Sequence, residues 1–385
     1  MDSLFFKEEH KMIQKMVRDF AKDEILPIAK ELDKNGSFPK EIVRKMGQLG
    51  LMGINVPAKY GGSDLDTVAY ATAIIELAKA DASVAITMAA HTSLGTLPLL
   101  LFGNEKLKNK YLPKIACGEM LSALGLTELH AGSDTESIKT TATKVGGKYL
   151  VNGGKVFITN AGEAGILTFT SRVIEGGNDK GIGFFIVPTD VKGLRIGEKE
   201  KKMGWRASDT RRIDFENMEI DHSDMLCSPK NEINELLKGL TLGRISIGAL
   251  SVGTATAAYE KAIRYSKDRI AFNKPINHFQ SNSFKLADMA TKIEASGLLV
   301  YHAAWLKDQG KSFLKESAMA KLYASEAAME ITRDAIQIHG GYGYVHEYDV
   351  ERFFRDAKIL EIVEGTSEMQ RLIISREIIK EKMIL

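Results

Sequence analysis

Cysteine is almost missing from this 385-residue chain. Cys117 and Cys227 are the only two, so a disulfide framework is excluded. Proline is scarce as well, eight in all, which leaves room for long unbroken helices. Neither sign of charge is in excess. Lys+Arg 52 against Asp+Glu 50 leaves +2, which argues against a broadly electrostatic binder of nucleic acid or anionic membrane. The opening MDSLFFKEEHKMIQ has no long apolar run and is too acidic for a signal or transit peptide. No stretch reads as the roughly 20 apolar residues that span a bilayer. The expectation is a soluble, cytoplasmic protein without membrane insertion.

Several catalytic signatures are missing too. The eight histidines are scattered without an HExxH, and the two cysteines lie 110 residues apart, so no metal site is expected. No Gly-x-Ser-x-Gly elbow anchors a hydrolase triad. Gly310-Lys311-Ser312 looks like the tail of a phosphate-binding loop, but Trp305 stands where its first glycine belongs. Gly341-Tyr342-Gly343 begins like a dinucleotide fingerprint, yet the run ends in His346 and follows a helical pattern instead of a strand.

What is present is ordinary globular composition, 44% hydrophobic and 26% charged, long enough for two or three domains. Glycine divides the chain. Residues 121–230 hold 15 of the 34 glycines, and the 155 residues after them hold 10. The block 1–120 is read as helical, with Met12, Ile13, Met16, Val17, Phe20, Ile25 and Ile28 at three- and four-residue steps. The block 121–230 is read as strands, with Lys148–Asn152 and Lys155–Thr159 joined by Asn152-Gly153-Gly154 as a hairpin. No helix of 10–12 residues separates its strands, so a small antiparallel β-barrel or sandwich is expected. The block 231–385 is again helical, with Leu322, Met329 and Ile336 seven apart, and predicts a bundle of long helices.

Four stretches combine glycine with polar residues in apolar surroundings. LTELHAGSD (Leu126–Asp134) opens the strand block with the hydroxyls of Thr127 and Ser133, and reads equally as a strand end followed by a polar turn. KVFITNAG (Lys155–Gly162) puts Phe157 and Thr159 on one side of a strand. That pair suits a planar ring, stacked and hydrogen-bonded at its edge, or simply a core Phe with a surface Thr. QIHGGYGY (Gln337–Tyr344), followed by Arg352 and Arg355, reads as a helix stop at Gly340-Gly341, or as bare backbone facing a pyrophosphate. In VEGTSEMQR (Val363–Arg371), Glu364 follows the apolar run Ile359–Val363, and Ser367 with Gln370 reads as a capping box. A carboxylate pressed against apolar surface has a raised pKa and can act as a general base; the alternative is a solvated loop Glu.

Taken in this order and spacing, the four stretches resemble the acyl-CoA dehydrogenase family over essentially the whole chain. The resemblance includes Pro57-x-x-Tyr60-Gly61-Gly62 and DRIAFNKPI (Asp268–Ile276). It implies an N-terminal helical domain, a middle β-domain and a C-terminal four-helix bundle, a homotetramer, and FAD held between domains and partly by a neighbouring subunit. Leu126, Thr127, Ser133, Phe157 and Thr159 match positions lining the flavin, with Ser133 also at the acyl-CoA. Arg269, Phe272, Gln280, Gln337 and Gly341 match contacts to a partner's FAD, and Thr366 and Glu368 match a FAD-contacting pair. Thr241, Arg244 and Gly365 fall at the substrate site, and Glu364 matches the catalytic base.

The implied reaction is α,β-dehydrogenation of an acyl-CoA to a trans-2-enoyl-CoA. Glu364 removes the α-proton, the β-hydrogen leaves as hydride to flavin N5, and electron-transferring flavoprotein takes the electrons from the reduced FAD. The thioester oxygen is met by the Glu364 backbone N–H and a flavin ribityl hydroxyl. Four positions depart from the family pattern. Leu129 stands for a frequent Pro, Asn273 for Gly, Thr241 for an Asp at the CoA arm, and Val363 for a Tyr before the base. The alternatives are a flavin oxidase or monooxygenase on the same fold, an enoyl-CoA reductase, and a non-catalytic nucleic-acid-binding flavoprotein.

Overall fold

The computed structural model describes residues 2–229 and 241–380. The expected domain boundary at 230/231 lies outside the described residues. The chain begins with eight α-helices: α1 (Asp2–Phe5), α2 (Glu8–Phe20), α3 (Ala29–Asn35), α4 (Lys40–Gln48), α5 (Thr67–Ala80), α6 (Ala82–Ala89), α7 (Leu97–Phe102) and α8 (Glu105–Ala116). Asp66 caps α5 through the Ala69 N–H, and Asp81 caps α6 through the Val84 N–H. Of the α5 residues only Lys79 escapes burial. Val17 of α2 is fully buried, whereas Met12 is 72% exposed and off the predicted face.

One stretch departs from the expectation that no apolar run is long enough to span a bilayer. The 21 residues Ala82–Phe102 are long and apolar enough, by length and composition, to cross a membrane, with a mean hydropathy of 1.5. Of that window 78% is buried inside the fold. It comprises α6, a π-helical stretch (Ala90–Thr96) and α7, and the hydroxyls of Thr87 and Ser93 each donate to the carbonyl four residues back. It is core.

The middle strands are β1 (Leu121–Gly125), β2 (Thr141–Val145), β3 (Lys148–Thr159), β4 (Ala164–Glu175), β5 (Asn178–Pro188), β6 (Leu194–Lys199), β7 (Thr210–Asp221) and β8 (Met225–Cys227). They form one sheet ordered β6-β7-β3-β2-β4-β5-β8, with β1 also on β4. The sheet is mixed and not purely antiparallel: β1 and β2 both run parallel to β4, β1 beside its first half and β2 beside its second.

The predicted hairpin at Asn152-Gly153-Gly154 is absent; β3 runs straight through it, with a register shift against β7. Gly153, at φ +138, passes so close to Thr140 that a Cβ would lie 2.7 Å from its Cα. Glycine there serves a bulge and a close approach, not a turn. The turns lie instead at Gly146-Gly147, between β2 and β3, and at Gly176-Gly177, between β4 and β5.

After the sheet come α9 (Leu242–Asp268), a small hairpin of β9 (Ile270–Ala271) and β10 (Lys274–Pro275), α10 (Gln280–Asp308), α11 (Leu314–His339), α12 (Val350–Lys358) and α13 (Ser367–Lys380). Helix α9 packs on α11, α10 and also α5. Small residues permit this: a Cβ on Gly253 would meet the Ile75 carbonyl at 2.5 Å. The first and last helical blocks therefore share one hydrophobic core, while Tyr149, Phe169, Phe185 and Phe215 build a separate one in the sheet. On α11 the heptad residues Leu322, Met329 and Ile336 are only half-buried. The buried stripe is Ala324, Ala328, Ile331, Ala335 and Ile338.

All three blocks meet at a buried charge cluster. Arg352 Nη1 of α12 lies 3.3 Å from Asp81 Oδ2, and the Trp205 N–H donates to Asp356 Oδ1 at 2.6 Å. Burial drives the Asp356 carboxyl up to about 7, against the pull of Arg352. An acid with a raised folded pKa holds its proton more tightly in the folded state, so its contribution is full below about pH 4 and is lost as pH rises to about 7. Asp356→Asn is expected to flatten that fall. A melting-temperature series over this range should drop less steeply in the variant, and parallel curves would contradict it.

Candidate active site

Beyond α12 the chain tightens into a 3₁₀ turn, Ile359–Glu361, and then reverses before α13. Glu364 sits in that reversal at φ +53, followed by Gly365 at φ +96. A non-glycine residue in the left-handed region costs of order 1–3 kcal/mol, and such strain gathers at functional sites. The surroundings hold it there. The Gln370 side chain donates to the Gly365 carbonyl at 2.7 Å and to the Glu364 carbonyl at 3.4 Å. The Thr366 hydroxyl accepts from the Met369 N–H at 3.4 Å. The predicted Ser367–Gln370 capping box is thus not formed: Thr366 provides the cap, Ser367 Oγ is buried without a hydrogen-bond partner among the described residues, and Gln370 braces the loop.

Glu364 as a whole is half-buried, but both carboxylate oxygens are buried and have no hydrogen-bond partner among the described residues. They lie against the first turn of α9, where a Cβ on Gly243 would overlap Glu364 Oε2. Burial raises the carboxyl to about 7, opposed by the charges of Lys321 and Arg244. A carboxylate of this kind can take a proton near neutral pH, with both oxygens free to receive it. Arg244 reaches back to the buried Thr241 hydroxyl at 3.5 Å. Glu364, Gly365, Arg244 and Thr241 are therefore brought together. Thr366 stands just before α13 and the exposed Glu368 in its first turn, with a hydrogen bond from Thr366 holding the Glu368 carboxyl below its usual range.

A second group lies on the sheet. After β1 the loop bearing Leu126 and Thr127 is held by the Val156 N–H, which donates to the Thr127 carbonyl at 2.9 Å, and by an antiparallel bridge from Glu128 to Ala131. Beneath it Lys155 is fully buried. Its ammonium meets Glu128 Oε1 at 2.7 Å, Thr170 Oγ1 at 3.1 Å and the Leu126 carbonyl at 3.2 Å. Leu129 projects 75% exposed from this loop. In the bulge of β3, Phe157 takes φ +60 and stands 66% exposed. Thr159 is half-buried and Ser133 exposed.

A third group follows α9. Phe272 (φ +50) and Asn273 (φ +62) form the tip between β9 and β10, and Phe272 is 89% exposed. Asparagine at 273 suits this turn, because its short polar side chain tolerates the left-handed region. Arg269 and Gly341 line one cavity of about 860 Å³ with Tyr265, His339, Gly340 and Tyr342. Phe272, Gln280 and Gln337 are exposed and do not line it. Elsewhere Glu9, His10 and Asp66 bring carboxylate and imidazole atoms together. Both His10 nitrogens are engaged, one by the Lys7 N–H and the other by Asp66 at 3.0 Å.

Three acyl-CoA dehydrogenase family models match in chain order: the N-terminal domain over residues 7–119, the middle domain over 123–218 and the C-terminal domain over 233–379. The chain belongs to the acyl-CoA dehydrogenase family. It is 48% identical over 370 residues to acyl-CoA dehydrogenase of Bacillus subtilis (strain 168), covering 96% of this chain and 97% of that one. It matches the structure of butyryl-CoA dehydrogenase from Megasphaera elsdenii with a TM-score of 0.94 at 40% identity, covering 97% and 99% of the two chains. A chain solved in work on the electron transferring flavoprotein of Acidaminococcus fermentans gives a TM-score of 0.95 at 40% identity, covering 98% and 100%.

Acyl-CoA dehydrogenases are oxidoreductases that use FAD, and the donor set here fits that group. Phe157 offers an uncovered aromatic ring on the same strand as the half-buried Thr159, and the neighbouring Val156 N–H ties that strand to the Thr127 carbonyl. Arg269 offers a cation, and Gly340 and Gly341 offer bare backbone where an added Cβ would meet nothing. Sequence reading missed Gly243, Lys155 and Lys321. The first reads as one small residue among many at the start of a helix. Nothing local in the sequence marks either lysine as buried, as the fold makes it.

Proposed function

We propose that this acyl-CoA dehydrogenase removes the α-proton of a short or branched acyl-CoA with Glu364, giving a trans-2-enoyl-CoA. The observation that carries this reading is the Glu364 carboxylate, buried, without a hydrogen-bond partner among the described residues and raised to about 7. The α-proton of a thioester is a very weak acid, so the base needs help. Hydrogen bonds to the thioester oxygen, one of them from the Glu364 N–H, stabilise the charge that develops there. When bound, FAD supplies the acceptor for the two electrons and the β-hydrogen.

Leu126, Thr127, Phe157, Thr159, Thr366 and Glu368 would hold FAD from one subunit. Arg269, Phe272, Gln280, Gln337 and Gly341 would hold it from a neighbour in a homotetramer. The full exposure of Phe272 in the single chain supports this division. Ser133, Thr241, Arg244 and Gly365 would hold the acyl-CoA. Electron-transferring flavoprotein is the proposed re-oxidant, a reading supported by the likeness to the Acidaminococcus chain.

Val363, packed against the helical core just before the base, is smaller than the Tyr frequent at this place in the family and would admit a branch on the acyl chain. Anaerobic mixing of the holoenzyme with a panel of acyl-CoAs tests both parts. Short straight and branched thioesters are expected to bleach the flavin, the branched at least as fast as the straight. Strict preference for straight chains contradicts the role of Val363, and no bleaching by any member contradicts the reaction. Stoichiometric peroxide in air would point to an oxidase instead.

A further inference from the structure

Lys321 lies in the N-terminal half of α11, fully buried, and its ammonium has no hydrogen-bond partner among the described residues. Burying a cation without a partner is costly, and an apolar side chain of similar length would fill the same space at no such cost. The opposite charge is equally bare: both Glu364 oxygens are buried and have no hydrogen-bond partner among the described residues. Helix α11 packs on both the 3₁₀ turn and α13, the two elements that flank Glu364, and each charge favours the ionised form of the other. We propose that Lys321 is a positioning residue for Glu364, keeping its carboxylate ionised by charge alone and leaving both oxygens free to receive a proton.

The inference rests on Glu364 being the base, and its physical logic is simple. A hydrogen bond to the carboxylate would also favour ionisation, but it would occupy a lone pair and lower the basicity that proton abstraction needs. A charge that is not in hydrogen-bond contact avoids the first cost and limits the second. The groups acting on the pair come from every side. Arg244 of α9 is the second cation on Glu364, and Tyr70 of α5 lies buried within its field. Glu361 of the 3₁₀ turn, Glu368 of α13 and Glu326 of α11 itself favour the charged ammonium, though Glu326 is already paired with Arg371 at 2.8 Å. Burial brings Lys321 down to about 8 and Glu364 up to about 7, so near neutral pH the two charged forms coexist.

The test is Lys321→Met in the holoenzyme. The acid limb of flavin reduction by butyryl-CoA is expected to move up by about one pH unit. The rate at pH 7 then falls about five-fold and recovers at higher pH. The infrared carbonyl band of protonated Glu364, identified by its loss in Glu364→Gln, should persist to correspondingly higher pH. Melting temperature should hold or rise, because no hydrogen bond is lost. Lys321→Arg should restore the limb, and Lys321→Gln should reproduce the shift if the Met variant does not accumulate. A limb and an infrared titration that stay in place in a folded, uncharged variant overturn the inference. If Glu364→Gln itself still reduces flavin, it is the base assignment that fails. If that variant is inactive and the Lys321→Met limb is unmoved, only the present inference fails.

Discussion

Glu364→Gln is expected to keep its FAD and its melting temperature while losing flavin reduction by acyl-CoA about 10²–10⁴-fold. Glutamine has nearly the same shape, and the carboxylate it replaces makes no hydrogen bond among the described residues that could be lost. Removing a buried acid whose pKa is pushed up by desolvation also removes a burial cost. Stability and activity should therefore separate, which they would not if Glu364 only held the loop. The loop is instead held by Gln370 and Thr366. The check is stopped-flow bleaching beside a thermal melt. A variant that bleaches within a few-fold of the parent rate contradicts the assignment.

Gly243→Ala should come next in size. Its Cβ would occupy the position of Glu364 Oε2, so either the carboxylate or the first turn of α9 must give way. Displacing a reacting group by about 1 Å costs on the order of 10² in rate. Gly243 has an ordinary helical backbone, since it is not among the residues at positive φ, so alanine itself suits the helix and lowers the entropy of the unfolded chain. The expected pattern is a kcat near one-hundredth of the parent with FAD content unchanged and stability set only by the local clash. A kcat within two-fold of the parent would show that the carboxylate does not depend on this vacancy.

Much of this was legible in the chain. Ile13, Met16, Val17 and Phe20 announced a core-facing helix, and an apolar run ending in Glu364-Gly365 announced a carboxylate pushed against apolar surface. What was not legible depended on residues far apart in sequence. Asn152-Gly153-Gly154 has the composition of a turn, and only the passage of Thr140 alongside reveals why glycine is needed in a continuous strand. The parallel placing of β1 and β2 along β4 leaves no local trace, because alternation encodes a face and not a partner. Ser367 and Gln370 have capping-box spacing, but the left-handed turn at Glu364 draws Gln370 to the loop carbonyls. Gly243, Lys155 and Lys321 acquire their meaning from what the fold sets against them, namely Glu364 Oε2, Glu128 and the Glu364 charge.

The central claim is that one buried carboxylate takes the α-proton, and isotope exchange tests it most directly. The holoenzyme is incubated anaerobically with butyryl-CoA in deuterated buffer, and the recovered thioester is weighed by mass spectrometry. Deuterium should enter at the α-carbon, rising with pH through the ionisation of a group near 7, and should not enter with Glu364→Gln. Exchange that persists undiminished in that variant would contradict the account.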